Sequence, residues 1–412
     1  MVFIMNKLIK KPELLAPAGD LEKLKTALHY GADAVYLSGS RYGLRAGAEN
    51  FSLEEMAEGV ALAHKKGARA YLALNIFAHN ADINSLPSYL REIESIGVDA
   101  IIASDAGVID VVKESLPGTE LHLSTQANTT NWRSFAFWKK QGVSRVCVAR
   151  ELSLEEIREI RDRINIEIEA FVHGAMCISY SGRCLISSYM TGRSANQGDC
   201  AHPCRYRYAL VEETRPGEYF PVEEDERGTY MMSSKDLCMI EHLDKMFEAG
   251  IGAFKIEGRT KGIAYVGSVV RTYRKAIDRY LYNQENYRAE PGWMDELKAV
   301  SNREYTTGFF FGRPGARCQN YLSSSSSSPT GKEFVGVVRR VTGYEVMLEV
   351  RNRLKIGETL EFVGTGMESN SHKVETMQGL GGGLLLTANP GMTVVLKIGF
   401  ETSVNDMVRR QI

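Results

Sequence analysis

Seven cysteines pose the first chemical question, because thiols are the side chains of this chain best suited to hold a metal. They stand at Cys147, Cys177, Cys184, Cys200, Cys204, Cys238 and Cys318, and four of them fall within the 28 residues from Cys177 to Cys204. Their spacing is C-x6-C-x15-C-x3-C, with 33 residues between Cys204 and Cys238. In a reducing compartment such a group points to a metal or cluster site rather than to disulfides. A zinc ribbon has two tight knuckles, and only the Cys200–Cys204 pair is that tight. Iron–sulfur clusters accept wider spacing, since each thiolate binds a different iron. Spacing alone leaves a cluster, zinc and inert buried thiols open, with the cluster favoured. Cys147, between Val146 and Val148, reads as a core residue. Cys318 lies beside a polar linker.

Some scaffold must hold these thiols. Short apolar runs at Leu14–Ala16, Ala34–Leu37, Arg69–Leu74, Ala100–Ala103, Leu121–Ser124, Arg145–Ala149, Ile166–Val172 and Gly252–Ile256 read as strands. Amphipathic stretches such as Asp20–Tyr30, Leu53–Lys66 and Ser153–Arg163 separate them, and Asp20, Ser52 and Ser153 stand where N-caps belong. Near-continuous apolar strands alternating with helices predict a parallel sheet. Eight of them in about 250 residues predict a (β/α)8 TIM-like barrel, α/β in class. The spacing breaks once, between strands seven and eight, and the cysteine group lies in that gap. It is therefore expected to be a Cys-rich insertion after strand seven, on the face where barrels carry their active sites. Polar residues collect on the same rim: Arg41 and Arg45, Asn75 and His79, Ser124, Gln126 and Asn128, Arg150 and Glu151, His173, and Glu257 with Arg259.

The expected organisation is a barrel over residues 1–290 containing the insertion at 174–240. A connector at 291–330 follows, ending in the serine run Ser323–Ser328, and a small β-barrel occupies 331–412. In that last domain the strand candidates are Phe334–Arg339, Glu345–Val350, Thr359–Val363, Leu384–Leu386 and Thr393–Leu396. The glycine run around Gly381 has no helix after it and is not a dinucleotide loop. The segment Ala264–Tyr282 reads as a long helix whose Arg271, Arg274, Lys275 and Arg279 form a solvated basic face. Across 412 residues, 50 basic against 51 acidic side chains give a net charge of −1, which excludes a wholesale polyanion binder and leaves a local basic patch. The stretch from Arg183 to Arg207 is such a patch, with four Arg against one Asp. No apolar run is long enough to span a bilayer, so no membrane attachment is expected. The N-terminus lacks a basic leader and cleavage site, so the expected location is cytoplasmic.

The run from Glu169 through His173, Gly174, Cys177, Gly182, Arg183 and Cys184 to Ser187 resembles the signature of peptidase family U32, the collagenase-type peptidases. The resemblance extends to Leu14–Gly19, Tyr30–Tyr36, Leu123–Asn128, Gly228–Tyr230, Lys235–Leu237 and Lys255–Lys261, nearly the whole chain. The C-terminal domain and the run Tyr273–Asp278 look most like the branch that hydroxylates tRNA. That resemblance implies oxygen-independent conversion of the wobble uridine of tRNA to 5-hydroxyuridine, with prephenate as co-substrate and a 4Fe–4S cluster as cofactor. It implies Cys177, Cys184, Cys200 and Cys204 as ligands, with Cys238 as an alternative fourth. Arg45, Arg150 and Arg259 on the rim are the candidates for the two carboxylates of prephenate, which guanidinium forks suit. Arg259, Glu257 and His173, the last as proton donor or as a supporting hydrogen-bonder, are the catalytic candidates. Asn75, Gln126, Arg205 and Arg207 are further substrate contacts, since interleaved cations and aromatics suit phosphates and unstacked bases. Electron-donor or cluster-assembly proteins would be further partners. Two alternatives stand: a peptidase, for which a Cys–His pair such as Cys177 with His173 would be needed, and a non-catalytic RNA-binding or cluster-carrying partner. No metalloprotease helix or serine elbow supports hydrolysis.

Overall fold

The computed structural model describes residues 11–43, 50–177, 179–180, 183–205, 235–312 and 331–412, with the two-residue strands 210–211, 219–220, 224–225 and 228–229. Eight parallel strands form the barrel: β1 (Glu13–Pro17), β2 (Ala34–Leu37), β3 (Arg69–Leu74), β4 (Ala100–Ala103), β5 (Glu120–Leu123), β6 (Arg145–Cys147), β7 (Glu167–Gly174) and β8 (Ala253–Ile256). The ring closes because β8 pairs in parallel with both β7 and β1. Helices α1 (Leu21–His29), α2 (Leu53–Lys65), α3 (Asn80–Glu94), α4 (Ala106–Ser115), α5 (Trp132–Lys140) and α6 (Leu154–Arg163) follow the first six strands in turn. The cysteine lobe follows β7 and contains α7 (Ile186–Thr191); α8 (Leu243–Glu248), α9 (Ile263–Tyr282) and α10 (Pro291–Lys298) complete the domain. The caps explain where helices begin: Asp20 accepts from the Lys23 amide, and Ser52 with Glu55 and Ser153 with Glu156 form capping boxes. Among the described residues no helix is long and apolar enough to cross a membrane.

The feature absent from the sequence reading lies on β7. This strand has eight residues and β6 has three, so β6 pairs only with Glu167–Glu169 and the upper edge of β7 is left bare. The chain returning from the lobe fills that edge. Asp236–Cys238 runs antiparallel to β7, with Leu237 opposite Gly174 and Cys238 opposite His173, and Tyr305–Thr306 then pairs with Asp236 and Leu237. On its other edge β7 bulges, the register with β8 slipping between Phe171 and His173. Residues 291–312, expected as connector, belong to the barrel domain instead, because Trp293, Leu297, Val300 and Phe310 bury into its core.

Inside the barrel, at the end where the strands start, polar side chains interlock. Arg145 reaches Glu13 (2.6 Å), Glu167 (3.2 Å) and Glu169 (3.6 Å); Lys255 reaches Glu169 at 2.7 Å; and the Tyr71 hydroxyl donates to Glu13. Burial pushes the Glu169 carboxyl upward, but the two cations outweigh it and hold it at about 2.

The C-terminal domain is a seven-stranded antiparallel sheet in the order Asn370–Lys373, Thr359–Val363, Met407–Gln411, Lys332–Thr342, Glu345–Val350, Thr393–Lys397, Gln378–Gly379. It closes over its own core of Val335, Val346, Leu348, Leu360, Phe362 and Val394. Leu384–Leu386 is no strand, and Leu384 and Leu386 are exposed; the strand Met407–Gln411, disguised by Arg409 and Arg410, sits in the middle of the sheet. Polar bonds fasten this domain to α1, α9 and α10. The Tyr30 hydroxyl donates to the Val363 carbonyl and accepts from the Met407 amide, and Glu296 lies between Arg409 (2.7 Å) and Arg271 (3.3 Å). The basic face of α9 is therefore only partly solvated: Arg271 is fully buried and Arg274 is paired with Asp33 and Asp278, while Arg279 is exposed as expected.

Replacing Glu169 with Gln leaves Lys255 and Arg145 partly uncompensated in a dry site, which should cost about 3–5 kcal/mol in chemical denaturation. A carboxylate held low contributes stability above its ordinary range and loses it as pH falls from 4.5 to about 2. The acid limb of wild-type stability over that interval should be shallower in Glu169→Gln.

Candidate active site

The lobe is fastened over the C-terminal end of the barrel. Gly174 ends β7 at φ +106°, and a Cβ there would lie 2.4 Å from the Glu257 carbonyl oxygen, so only glycine lets the chain leave the sheet at this point. Arg183 then reaches back to the rim, its Nε donating to the Gln126 carbonyl (3.1 Å) and its guanidinium lying over the Phe77 ring. Asn196 makes two contacts, accepting from the Phe77 amide through its carbonyl and from the Cys184 amide through its side chain. Asn128 donates to the Tyr180 carbonyl. Sequence reasoning missed Phe77 and Asn196. Nothing in their local pattern signals a contact between residues so far apart in the chain.

Two of the expected substrate contacts form the floor beneath the lobe. Asn75 Nδ2 donates to Gln126 Oε1 at 2.8 Å, and the Ser124 hydroxyl donates to the same oxygen. Arg150 stands beside a narrow cleft lined also by Val148, Phe171, Met176, Leu237 and Phe310. Its guanidinium lies 4.2 Å over the Phe171 ring and 3.5 Å from the Glu257 carboxylate, and its Nε has no hydrogen-bond partner among the described residues. A cation so placed, above an apolar floor, suits an anionic group. Met176 lines the cleft next to Cys177. Arg259 is buried, its carbonyl backed against Gly19 at the β1 side. Arg45 and Arg207 lie outside the described residues, as do Cys318 and the serine run, and Arg205 is described only as part of the turn Pro203–Arg205.

His173 does not open onto the rim. Behind the bulge its ring is enclosed by Tyr265, Tyr273 and Tyr305 at centroid distances of 5.9, 5.5 and 5.2 Å. The Tyr273 hydroxyl donates its one proton to the Val172 carbonyl, so across the 3.4 Å contact His173 Nδ1 must be the donor. Nε2 is left as a buried acceptor with no partner among the described residues. Burial drives the pKa down to about 3, with Lys261 adding to the effect and Asp236 opposing it. Kept neutral by burial, the imidazole in this position braces the wall and the bulge. No hydrogen bond joins it to Cys177, so the geometry of a Cys–His nucleophile is not met there.

Cys177 is exposed, Cys184, Cys200 and Cys204 are half-buried, and none is in a disulfide. Cys200 Sγ accepts from the His202 amide at 3.4 Å, and the turn carrying Cys204 packs against α7. Cys238 is instead buried in the barrel wall, its Sγ 3.8 Å from the Tyr273 hydroxyl and its thiol pushed up to about 12 by burial. Cys147 is buried and its thiol likewise raised. Among the described residues no three His, Cys, Asp or Glu side chains stand together as a metal site. In kind and number, though, four reduced thiols on one lobe suit an iron–sulfur group.

A histidine held neutral by burial costs stability once the unfolded chain can bind a proton that the folded one refuses. Wild-type stability should therefore decline as pH falls from 6.5 towards about 3. In His173→Gln, urea titrations at a series of pH values should show that slope reduced.

The peptidase family U32 model matches residues 19–320, and the model of the peptidase family U32 C-terminal domain matches residues 331–409. A Bacillus subtilis protein named tRNA hydroxylation protein P1 is 44% identical over 407 residues, covering 97% of this chain and 95% of its own. An Escherichia coli protein named tRNA hydroxylation protein P is 36% identical over 437 aligned residues, covering 96% and 95%. A second Escherichia coli protein, named a 23S rRNA 5-hydroxycytidine synthase, is 38% identical over 266 residues, covering 65% of this chain and 39% of its own. With two family models in tandem along the barrel and the β domain, the chain belongs to peptidase family U32.

Proposed function

We propose that this chain is an RNA-hydroxylating enzyme, converting the wobble uridine of tRNA to 5-hydroxyuridine without molecular oxygen, with prephenate as co-substrate and a 4Fe–4S cluster as cofactor. The observation that carries this reading is a lobe with four reduced thiols, pinned over the mouth of a barrel whose rim holds a cation beside an apolar cleft. Relatives matching along nearly the whole chain are named for tRNA hydroxylation, and a further relative is named for making a hydroxylated cytidine in rRNA. Hydroxylation of an RNA base is common to those names.

Cys177, Cys184, Cys200 and Cys204 would hold the cluster, which supplies one-electron chemistry when bound. Cys204 is preferred over Cys238 as fourth ligand because it shares the lobe with the other three, whereas Cys238 is buried in the barrel wall. Arg150 would bind a prephenate carboxylate, Glu257 would hold that guanidinium in place, and Phe171 and Phe310 would pack against the ring. The lobe above them would keep water from the cleft. Hydrolysis is the weaker reading, because its candidate base, His173, is enclosed by three tyrosine rings away from Cys177.

Mass spectrometry of tRNA nucleosides should show 5-hydroxyuridine lost from a strain lacking this gene and its paralogues, and restored by the wild-type chain. Restoration by an Arg150→Ala chain should be at least tenfold poorer, in line with loss of a charge-assisted contact. Unchanged 5-hydroxyuridine in the deletion strain would sink the reading. Iron and sulfide assays after anaerobic purification should find cluster lost in Cys204→Ala and kept in Cys238→Ala. The reverse result would move the fourth ligand into the barrel wall.

A further inference from the structure

The walls of the cleft beside Arg150 come from three places in the chain. Val148, Arg150 and Phe171 face it from the barrel, Met176 and Leu237 from the two stems by which the cysteine lobe leaves and rejoins β7, and residues 308–310 from a later segment. That segment, 302–310, is a strap. At one end the Phe310 carbonyl accepts from the Leu154 amide at the start of α6 (3.0 Å). At the other, the Glu304 carbonyl accepts from the Asp236 amide (2.9 Å), and Tyr305–Thr306 pairs with Asp236 and Leu237. Glu304 has left-handed backbone, φ +60°, which a residue with a Cβ keeps only where its surroundings enforce it. Asn302 does so from a buried position: its side-chain oxygen accepts from the Glu304 amide (3.0 Å), and its Nδ2 donates to the Val300 carbonyl (2.8 Å).

Between them stands Arg303, which reaches both stems. Its Nε and Nη2 donate to Asp236 Oδ1 at 2.9 and 2.6 Å, its backbone amide donates to Oδ2 at 3.3 Å, and Nη2 also meets the Met176 carbonyl at 3.5 Å. The side chains of Arg303 and Asp236 are 12% and 2% exposed, so water screens the pair little. A buried, charge-assisted contact to a planar guanidinium fixes orientation as well as distance. Met176 immediately precedes Cys177, and Asp236 stands two before Cys238. One side chain therefore holds the chain where the lobe begins and where it ends, on the strap that also walls the cleft.

We infer that Arg303 is a positioning residue: by gripping both stems at once it sets where the cysteine lobe, and the Met176–Leu237 wall with it, stands relative to Arg150. It is not among the residues lining the cleft and acts through Asp236 and Met176. The inference rests on the reading of the lobe as carrier of the redox group, and adds what fixes that group against the small-reactant cleft. Because the strap serves both, loosening the grip displaces lobe and cleft wall together.

The test is hydrogen exchange by mass spectrometry on the full, anaerobically purified chain, following peptides over the two stems, 172–177 and 235–239, with β1–β4 as internal reference. Arg303→Lys keeps Asp236 paired, so its urea midpoint should stay near that of the wild type, but an ammonium cannot reproduce the grip on both stems. Exchange in both stems should rise about tenfold or more in Arg303→Lys, and further in Arg303→Ala, with the reference strands unchanged. The Arg303→Lys chain should also restore 5-hydroxyuridine about tenfold less well than the wild type. Unchanged stem exchange in Arg303→Lys would overturn the inference. If Arg303→Ala alone loosened the stems, the residue would be a charge partner of Asp236 and no more. An equal rise in β1–β4 would make it a general stabiliser, which overturns the inference too. Exchange needs neither RNA nor co-substrate, so the two readings fail separately. Loosened stems in a protein whose wild type forms no 5-hydroxyuridine would keep the grip and remove the enzymatic reading; 5-hydroxyuridine formed by a chain whose stems ignore Arg303 would do the opposite.

Discussion

An eight-residue strand beside a three-residue neighbour has main-chain groups that something must pair. Most of the architecture above the barrel follows from that mismatch between β6 and β7. The edge left bare is filled by Asp236–Cys238, so the lobe leaves β7 and returns to it, with entry and exit one strand spacing apart. Tyr305–Thr306 is drawn in next, and with it the segment that brings Trp293 and Phe310 into the core. Because both ends of the excursion are hydrogen-bonded to one strand, the thiols are held near the mouth without the barrel strands having to carry any of them.

The polar residues of the barrel separate into two populations that the sequence lists side by side. Those at the strand starts, Glu13, Arg145, Glu167, Glu169 and Lys255, satisfy one another and leave little for a ligand to bind. At the strand ends Arg150 faces Glu257 across 3.5 Å beside an apolar cleft. Burial acts differently on the two. At the strand starts it is overcome by paired charge, so Glu169 stays ionised; in the tyrosine cage it outweighs the opposing charge of Asp236, so His173 stays neutral.

The eight strands were legible because parallel strands buried on both faces read as unbroken apolar runs, and the capped helices because Asp20, Ser52 and Ser153 act within three residues of themselves. The lobe was legible as a gap in that rhythm. What could not be read depends on partners distant in sequence. Asp236–Cys238 is a strand only because β7 overhangs its neighbour, and the bulge that turns His173 into the tyrosine cage is a property of two strands together. Arg271 looks solvated until the C-terminal domain docks on α9 and buries it against Glu296. Asn75 and Gln126 were found as rim residues, but that they occupy each other depends on the barrel closing.

The ionic lattice at the strand starts has a topological consequence. Arg145, Glu13, Glu169 and Lys255 interlock across the barrel axis and close its lower end, leaving the strand-end mouth as the one door. The lobe already hangs across that door. A macromolecule seated on the lobe would lie over the cleft beside Arg150 and Met176.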